Sequence, residues 1–481
     1  MDLQWRDGDS EARFSAYVEH LSGCLGHADR EAPFRSYCTG LLLPGDRNSL
    51  EPMAARLSPE RTLAEHQSLL HFVGQSPWDE RALLRAVHAA VLPVMTERRP
   101  IEGWIVDDTG FPKKGHHSVG VARQYCGQLG KQDNCQVAVS LSVATSEASL
   151  PVAWQLYLPE AWAEDWERRK RAKVPETIGF KTKPEIALGQ IKSALAEGVA
   201  PGVMLADAGY GKSSAFRDGL AALGLEFVVG VSGKATVWPQ GTTPVVPTTS
   251  GRGRRPKRLR RGGDDAPVKQ IAALAESLPA EAWQAVNWRE GAAEALASRF
   301  AALRVRRAQG DHQRSEPRPE QWLLVEWPND ETEPTKFWFS NLSPNILIDR
   351  LVFLAKLRWL IERDYLELKQ ELGLGHYQGR GWSGFHHHGA LCIAAYGFLV
   401  AEKAAIPPSA PKTAWLVKAP ELPDGYRPRG RPRSNRAPCD PLDRNTATTN
   451  RTGLGAKTAP MPMLCAGHQS AIQCSKQFVT Q

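Results

Sequence analysis

The stretch WIVDDTGFPKKG, Trp104 to Gly115, decides how the rest of the chain is read. An apolar run, Trp104-Ile105-Val106, leads into two adjacent carboxylates, Asp107 and Asp108, followed by a Thr-Gly-Phe-Pro turn and two lysines, Lys113 and Lys114. Asp at a strand end often does no more than open a turn or cap the next element. A strand end is also a rigid place from which to hold a carboxylate against a hard cation such as Mg²⁺. One acid does not decide between these readings; a site needs further acids in similar settings.

Outward from this stretch the pattern is mixed α/β. Cys135–Thr145 alternates and is rich in Val, and Leu150–Pro159 comes after a short turn, so both predict strands. Pro184–Gly198 predicts a helix, and Gly202–Gly211 (GVMLADAGYG) a second apolar strand ending in an acid, Asp207. Glu226–Gly233 predicts another strand. Upstream, residues 10 to 98 carry apolar positions at helical spacing, as in SEARFSAYVEHLSGCL and ERALLRAVHAAVLPVM. Downstream, residues 234–330 are rich in Pro, Thr and Gly and contain the basic run GRGRRPKRLRR, Gly251–Arg261. QWLLVEWP and TKFWFSNLS predict short strands, and one long helix is expected from about Pro344 to Leu372. Beyond 403 the chain is Pro-rich and polar, a composition expected of disorder. No internal repeat is present.

The later helix supplies a third acid. In LRWLIERDYLELKQELGLGHYQGRGW, Arg358, Glu362 and Lys369 stand at i, i+4 and i+11, with Glu362 and Lys369 on one face and Arg358 a turn away. A solvated face laced with salt bridges is the plainer reading, but Trp359, Ile361, Tyr365 and Leu368 lie close around these charges. A β-β-β-α-β order is that of a ribonuclease H-like fold. There the two Asp-bearing strand ends lie side by side and a later helix lays its Glu across them. Three such carboxylates hold two divalent metals roughly 4 Å apart for in-line displacement at phosphorus.

The set WIVDDTG, LADAGYG and RWLIERDYLELK resembles the three motif blocks of DDE transposases from bacterial insertion sequences. It is most similar to the group whose last block is Tyr-x2-Arg-x3-Glu-x6-Lys. Arg358, Glu362 and Lys369 match that spacing; the Tyr position is Ala355, a departure, with Tyr365 as a candidate substitute. HQSLLHFVGQSPWDERAL, His66–Leu83, resembles the group's N-terminal region, and the likeness spans about 40–400. The group writes its first block acid-Asp-Thr with the second acid catalytic, which favours Asp108 over Asp107. The resemblance implies Asp108, Asp207 and Glu362 as catalytic metal ligands for two Mg²⁺ (Mn²⁺ as substitute). It implies Arg358 and Lys369 as phosphate contacts, and a β-rich insertion whose Arg254, Arg255, Lys257 and Arg258 lie over the DNA backbone. It also implies double-stranded DNA as partner, both terminal inverted repeats and target, bound by a homodimer that cleaves the element's ends and joins the 3′-hydroxyls to target DNA. A hairpin intermediate belongs to the same group, and Ala355 sets it in question. Two rivals are a metal-dependent nuclease on the same fold without strand transfer, and a non-catalytic DNA-binding regulator.

Smaller constellations carry less. Lys113–Lys131, with Lys113, Lys114, His116, His117, Arg123 and Lys131, reads either as an exposed loop or as a phosphate-gripping one. Adjacent side chains on a helix diverge, so His386, His387 and His388 are expected in a structural or DNA-facing role rather than on one metal. His376, Tyr377 and Arg380 lie in a glycine-rich turn that suits either DNA ends or turn geometry. Arg427–Arg433 (RPRGRPR) resembles an AT-hook core, though a plain basic tail explains it.

Composition bounds the remaining possibilities. The 481 residues are 42% hydrophobic and 23% charged, with a net charge of +8 and a pI of about 9.0, which suits a polyanionic partner. Fifteen Trp suit bases or packing alike. The eight cysteines are scattered without a C-x-x-C pair, which argues against a zinc site or a disulfide framework and for a reduced cytoplasm; the transposase resemblance implies association with the bacterial nucleoid there. The polar, acidic N-terminus is not a signal peptide, and Ala390–Ala401 (ALCIAAYGFLVA) is too short to span a membrane, so it reads as a buried helix. The expected organisation is a helical DNA-binding domain (1–98), a ribonuclease H-like core (99–233 and 344–403) interrupted by a β-rich basic insertion (234–343), and a basic tail (404–481).

Overall fold

A computed structural model describes residues 4–246, 257–259, 268–290 and 295–405. The N-terminal periodicity resolves into α1 (Ser10–Ser22), α2 (Glu31–Leu42), α3 (Leu50–Leu57), α4 (Thr62–Gly74) and α5 (Glu80–Thr96). Asp9 and Asp79 cap α1 and α5 by accepting from the Ala12 and Arg81 amides, satisfying donors that a helix start leaves open. The buried stripe of α1 (Phe14, Tyr17, Val18, Leu21) and that of α5 (Leu83, Val87, Val91) turn inward.

The mixed sheet comes next. It begins with β1 (Gly103–Pro112), β2 (Ala122–Cys126), β3 (Lys131–Ala144) and β4 (Ser149–Leu156). Three helices succeed it: α6 (Glu160–Ala163), α7 (Trp166–Arg171) and α8 (Lys183–Ala196). Then come β5 (Val203–Ala206), α9 (Ala208–Gly211), α10 (Ser214–Ala222) and β6 (Phe227–Val231). β1, β5 and β6 run parallel, β3 flanks β1 antiparallel, and β2 and β4 both pair with β3. This is the expected ribonuclease H-like arrangement. Residues read as one loop after Lys113 instead contain β2, hairpinned onto the start of β3. The acids do not end β1 either. β3 offers a partner along the whole strand, from Gly103↔Ala144 to Pro112↔Cys135, and that pairing overrides the turn preference of Asp-Asp-Thr-Gly.

Beyond β6 the chain forms β7 (Thr236–Trp238), β8 (Lys269–Gln270), α11 (Ile271–Glu276), β9 (Gln284–Glu290), β10 (Ala295–Arg307), β11 (Gln321–Trp327) and β12 (Lys336–Ser340). β12 pairs with β6, so these strands continue the same sheet in the order β6-β12-β11-β10. The expected long helix is two: α12 (Ile348–Leu357) and α13 (Trp359–Gln370), which meet at Arg358. α12 packs on β5, β6 and β9, whereas α13 packs on β1 and β4, so the two segments answer to different surfaces.

α14 (Trp382–Ala405) is buried from Phe385 to Ala401 and packs against α2, α4, α5 and β4. No helix among the described residues is long and apolar enough to cross a membrane. A Cβ on Gly397 would stand 3.0 Å from Tyr17 Oη and from Val87, so glycine lets α1 and α5 approach. The three histidines tie α14 to its surroundings: His386 accepts from the Leu156 amide of β4, His387 stacks on Trp78 before α5 at 3.8 Å, and His388 bonds the Tyr37 hydroxyl of α2 at 2.8 Å. They are structural, and burial lowers the pKa of each.

Asp364 of α13 is wholly buried, accepting from the Ser149 and Tyr396 hydroxyls. Burial pushes its carboxyl up to about 7. Its folded pKa thus lies above the unfolded value, so its contribution is fully present below about pH 4 and is lost as pH rises through about 7. Asp364→Asn should therefore gain in melting temperature relative to wild type across that window. A constant difference between pH 4 and pH 8 would refute this.

Candidate active site

The parallel ladder of β1 and β5 runs from Gly103↔Val203 to Val106↔Ala206 and stops there. The next residues, Asp107 and Asp207, therefore emerge side by side where the two strands part, at the carboxyl edge at which open α/β sheets place their sites. Asp207 caps α9, its Oδ1 accepting from the Tyr210 amide at 3.2 Å.

Pleating sends the paired acids to opposite faces. Asp107 is registered with Ser140, whose hydroxyl bonds Tyr365 of α13, so Asp107 lies on the α13 face. Asp108 is registered with Val139, whose carbonyl accepts from Gln190 of α8, and Asp108 pairs with Lys183 at the start of α8. Asp108, the acid favoured by the motif resemblance, thus turns away from Glu362.

Arg358 stands at the centre of the α13 face. Its guanidinium is 3.0 Å from Asp107 Oδ2 and 3.6 Å from Glu362 Oε1. Asp107, Asp207 and Glu362 all raise its pKa against the opposing effect of burial. The break between α12 and α13 falls on this residue. Glu362 is 69% exposed, whereas the Asp107 side chain is 13% exposed. Burial pushes the Asp107 carboxyl up to about 7; Arg358 opposes this, and the Asp108 and Asp207 carboxylates reinforce it.

Among the described residues no three His, Cys, Asp or Glu side chains stand close enough to hold a metal as they are. The donor set nevertheless suits a hard divalent cation. It consists of carboxylate oxygens from β1, the end of β5 and α13, and their charge is now met by one guanidinium.

The expected phosphate contacts divide. Lys369 donates to the Gly110 carbonyl at 2.8 Å and to Gln128 at 3.3 Å, lies 5.0 Å from the Phe111 ring, and is lowered by burial to about 8. It ties α13 to β1 and the β2–β3 turn. Lys113 donates to the Tyr377 carbonyl at 2.9 Å and is lowered by burial. Lys114, Lys257 and Arg258 are exposed. Arg254 and Arg255, most of the basic run, Arg427–Arg433 and the tail lie outside the described residues. Tyr365 is buried with its hydroxyl on Ser140, so it is not placed to supply the contact that Ala355 lacks. Lys183, which pairs with Asp108, is missed in the sequence, since its place at a helix start is the only signal it carries.

The sequence matches the family model described as DDE superfamily endonuclease over residues 20–295, a range that holds Asp107, Asp108 and Asp207 and ends before Glu362. Over 170 residues it is 35% identical to the probable transposase for insertion sequence element IS701 of Microchaete diplosiphon, a match covering 35% of this chain and 41% of that protein. The chain thus spans about two-fifths of that relative's length. With more than half of its residues matched by the family model, the chain belongs to the DDE superfamily endonucleases.

Proposed function

We propose that the chain is the transposase of an insertion sequence, with Asp107, Asp207 and Glu362 as the carboxylates that hold divalent metal. The observation that carries this reading is that Asp107, where the β1–β5 ladder stops, and Glu362 of α13 both pair with Arg358, while Asp207 at the end of β5 acts on the same guanidinium electrostatically. Asp108, kept on the far face by Lys183, ties β1 to α8 rather than binding metal. Bound Mg²⁺, two ions per site with Mn²⁺ as substitute, supplies charge neutralisation at the scissile phosphate and activation of water or a 3′-hydroxyl.

The protein's own groups orient the site. The Asp207 cap on α9 and the β1–β5 ladder fix two carboxylates on rigid backbone. Glu362, exposed on α13, closes the set from the solvent side. Arg358, which pairs with Asp107 and Glu362, would be free to meet a phosphate oxygen where a metal took up the charge of these carboxylates. The DNA partner is the duplex end of the element and its target, bound by a dimer, near the nucleoid; the N-terminal helices, residues 1–98, take part in end binding.

Incubating the protein and Mg²⁺ with pre-cleaved DNA carrying the element's terminal repeat, together with a target plasmid, should yield joined products. Hydrolysis alone would favour the nuclease, and neither reaction the regulator.

A further inference from the structure

A basic segment stands next to the loop that leaves β1. Residues 168–173 read RRKRAK, five bases in six, and come after Trp166, whose ring is 66% exposed. Arg168 lies 3.8 Å from the Trp162 ring and donates to the His116 carbonyl at 3.2 Å. Arg169 donates to the carbonyls of Ala163 and Pro175. The Ala172 carbonyl accepts from the Trp382 amide at 2.8 Å. The Arg168 bond ties α7 to the loop that leaves β1, and the Ala172 bond ties its end to the start of α14.

The remaining cations, Lys170, Arg171 and Lys173, are exposed. Lys170 stands 5.9 Å from the Trp166 ring, and Arg171 Nε reaches the Glu167 carbonyl of its own helix. Of the nearby acids, Asp165 is used as the helix cap and Glu164 and Glu167 lie at the start of α7, so the charges separate along it. Cations in a last turn complement a helix dipole. That does not account for Lys173, which lies past the helix end at a φ of 54°, or for a solvent-facing indole among charges. By contrast, the buried basic side chains of the extended sheet are paired: Arg307 and Arg318 both bind Asp218 at 2.8 Å.

We infer that Trp166, Lys170, Arg171 and Lys173 form a DNA contact next to the loop that leaves β1, the cations on consecutive phosphates and the indole against a sugar or base. The inference rests on the reading of the chain as a DNA-processing enzyme, and it names a surface on which that DNA is gripped. Cations that neutralise phosphates release counterions, so their removal lowers the salt dependence of binding; an aromatic contact adds affinity without that dependence.

The test uses the full chain and an end-labelled 40-base-pair duplex titrated between 50 and 200 mM KCl. The Lys170→Gln, Arg171→Gln, Lys173→Gln triple variant should flatten the slope of log K against log salt by about 2 to 3, about 0.9 for each phosphate left without its cation. Trp166→Ala should weaken binding about tenfold at unchanged slope, with Trp166→Phe close to wild type. Lys192→Gln, an exposed cation farther along α8, serves as control and should leave both quantities unchanged. Melting temperatures equal to wild type establish that the variants are folded; a triple variant that melts early is replaced by the three single substitutions, each worth about 0.9 in slope. Wild-type binding with an unaltered slope in the neutralised variants overturns the contact surface and leaves the enzymatic reading standing. Wild-type protein that binds no DNA overturns both.

Discussion

Asp107→Ala should reduce DNA cleavage by at least about a thousandfold, the scale on which loss of a group that stabilises charge in the transition state is felt. Asp108→Ala should keep activity within about tenfold of wild type. The contrast comes from the pleat: Asp107 shares the α13 face with Arg358 and Glu362, while Asp108 is held by Lys183 against α8. Asp207→Ala and Glu362→Ala should match Asp107→Ala, and all three should still bind end DNA, since none supplies a phosphate contact. Cleavage is read on a labelled end duplex with Mg²⁺ and again with Mn²⁺. An inactive Asp108→Ala beside an active Asp107→Ala would reverse the assignment and restore the acid that the motif resemblance favours.

The second large effect concerns Arg358. Its guanidinium now balances Asp107 and Glu362 in a mostly buried setting, and removing one partner of such a pair costs about 3 kcal/mol because the other charge is left uncompensated. Arg358→Ala should therefore melt several degrees below wild type in EDTA. A divalent cation can supply the missing charge, so millimolar Mn²⁺ should restore much of that loss, and more than it adds to wild type, because ligand bound to the folded state alone stabilises it by mass action. Cleavage should fall as well, since the metal does not replace a phosphate contact. An Arg358→Ala protein whose melting temperature ignores Mn²⁺ would show that these carboxylates do not form a metal site.

Both results turn on how much of the site can be read in one dimension. The acid-bearing blocks, their order and the helix carrying Glu362 are local features. Apolar runs of strand length, a capped helix over 183–196 and the i, i+4 relation of Arg358 to Glu362 are imposed by side chains a few residues apart. Those sufficed for the α/β class and for Asp207 and Glu362 as candidates.

The choice between Asp107 and Asp108 was not local. Adjacent strand residues always face opposite ways, but which face meets α13 depends on the register of β1 against β3 and on which side of the sheet each helix packs. Lys369 and Lys113 were equally ambiguous: a lysine near a turn reads as a free cation until a carbonyl from a distant segment, Gly110 or Tyr377, takes its ammonium group. The break at Arg358 has no proline or glycine to announce it; it arises because α12 and α13 pack on different strands. Composition, periodicity and motif order thus settled the fold class. Strand register and the side of the sheet each helix packs on decided that Asp107 rather than Asp108 pairs with Arg358, because that contact joins residues more than two hundred positions apart and no local preference encodes it.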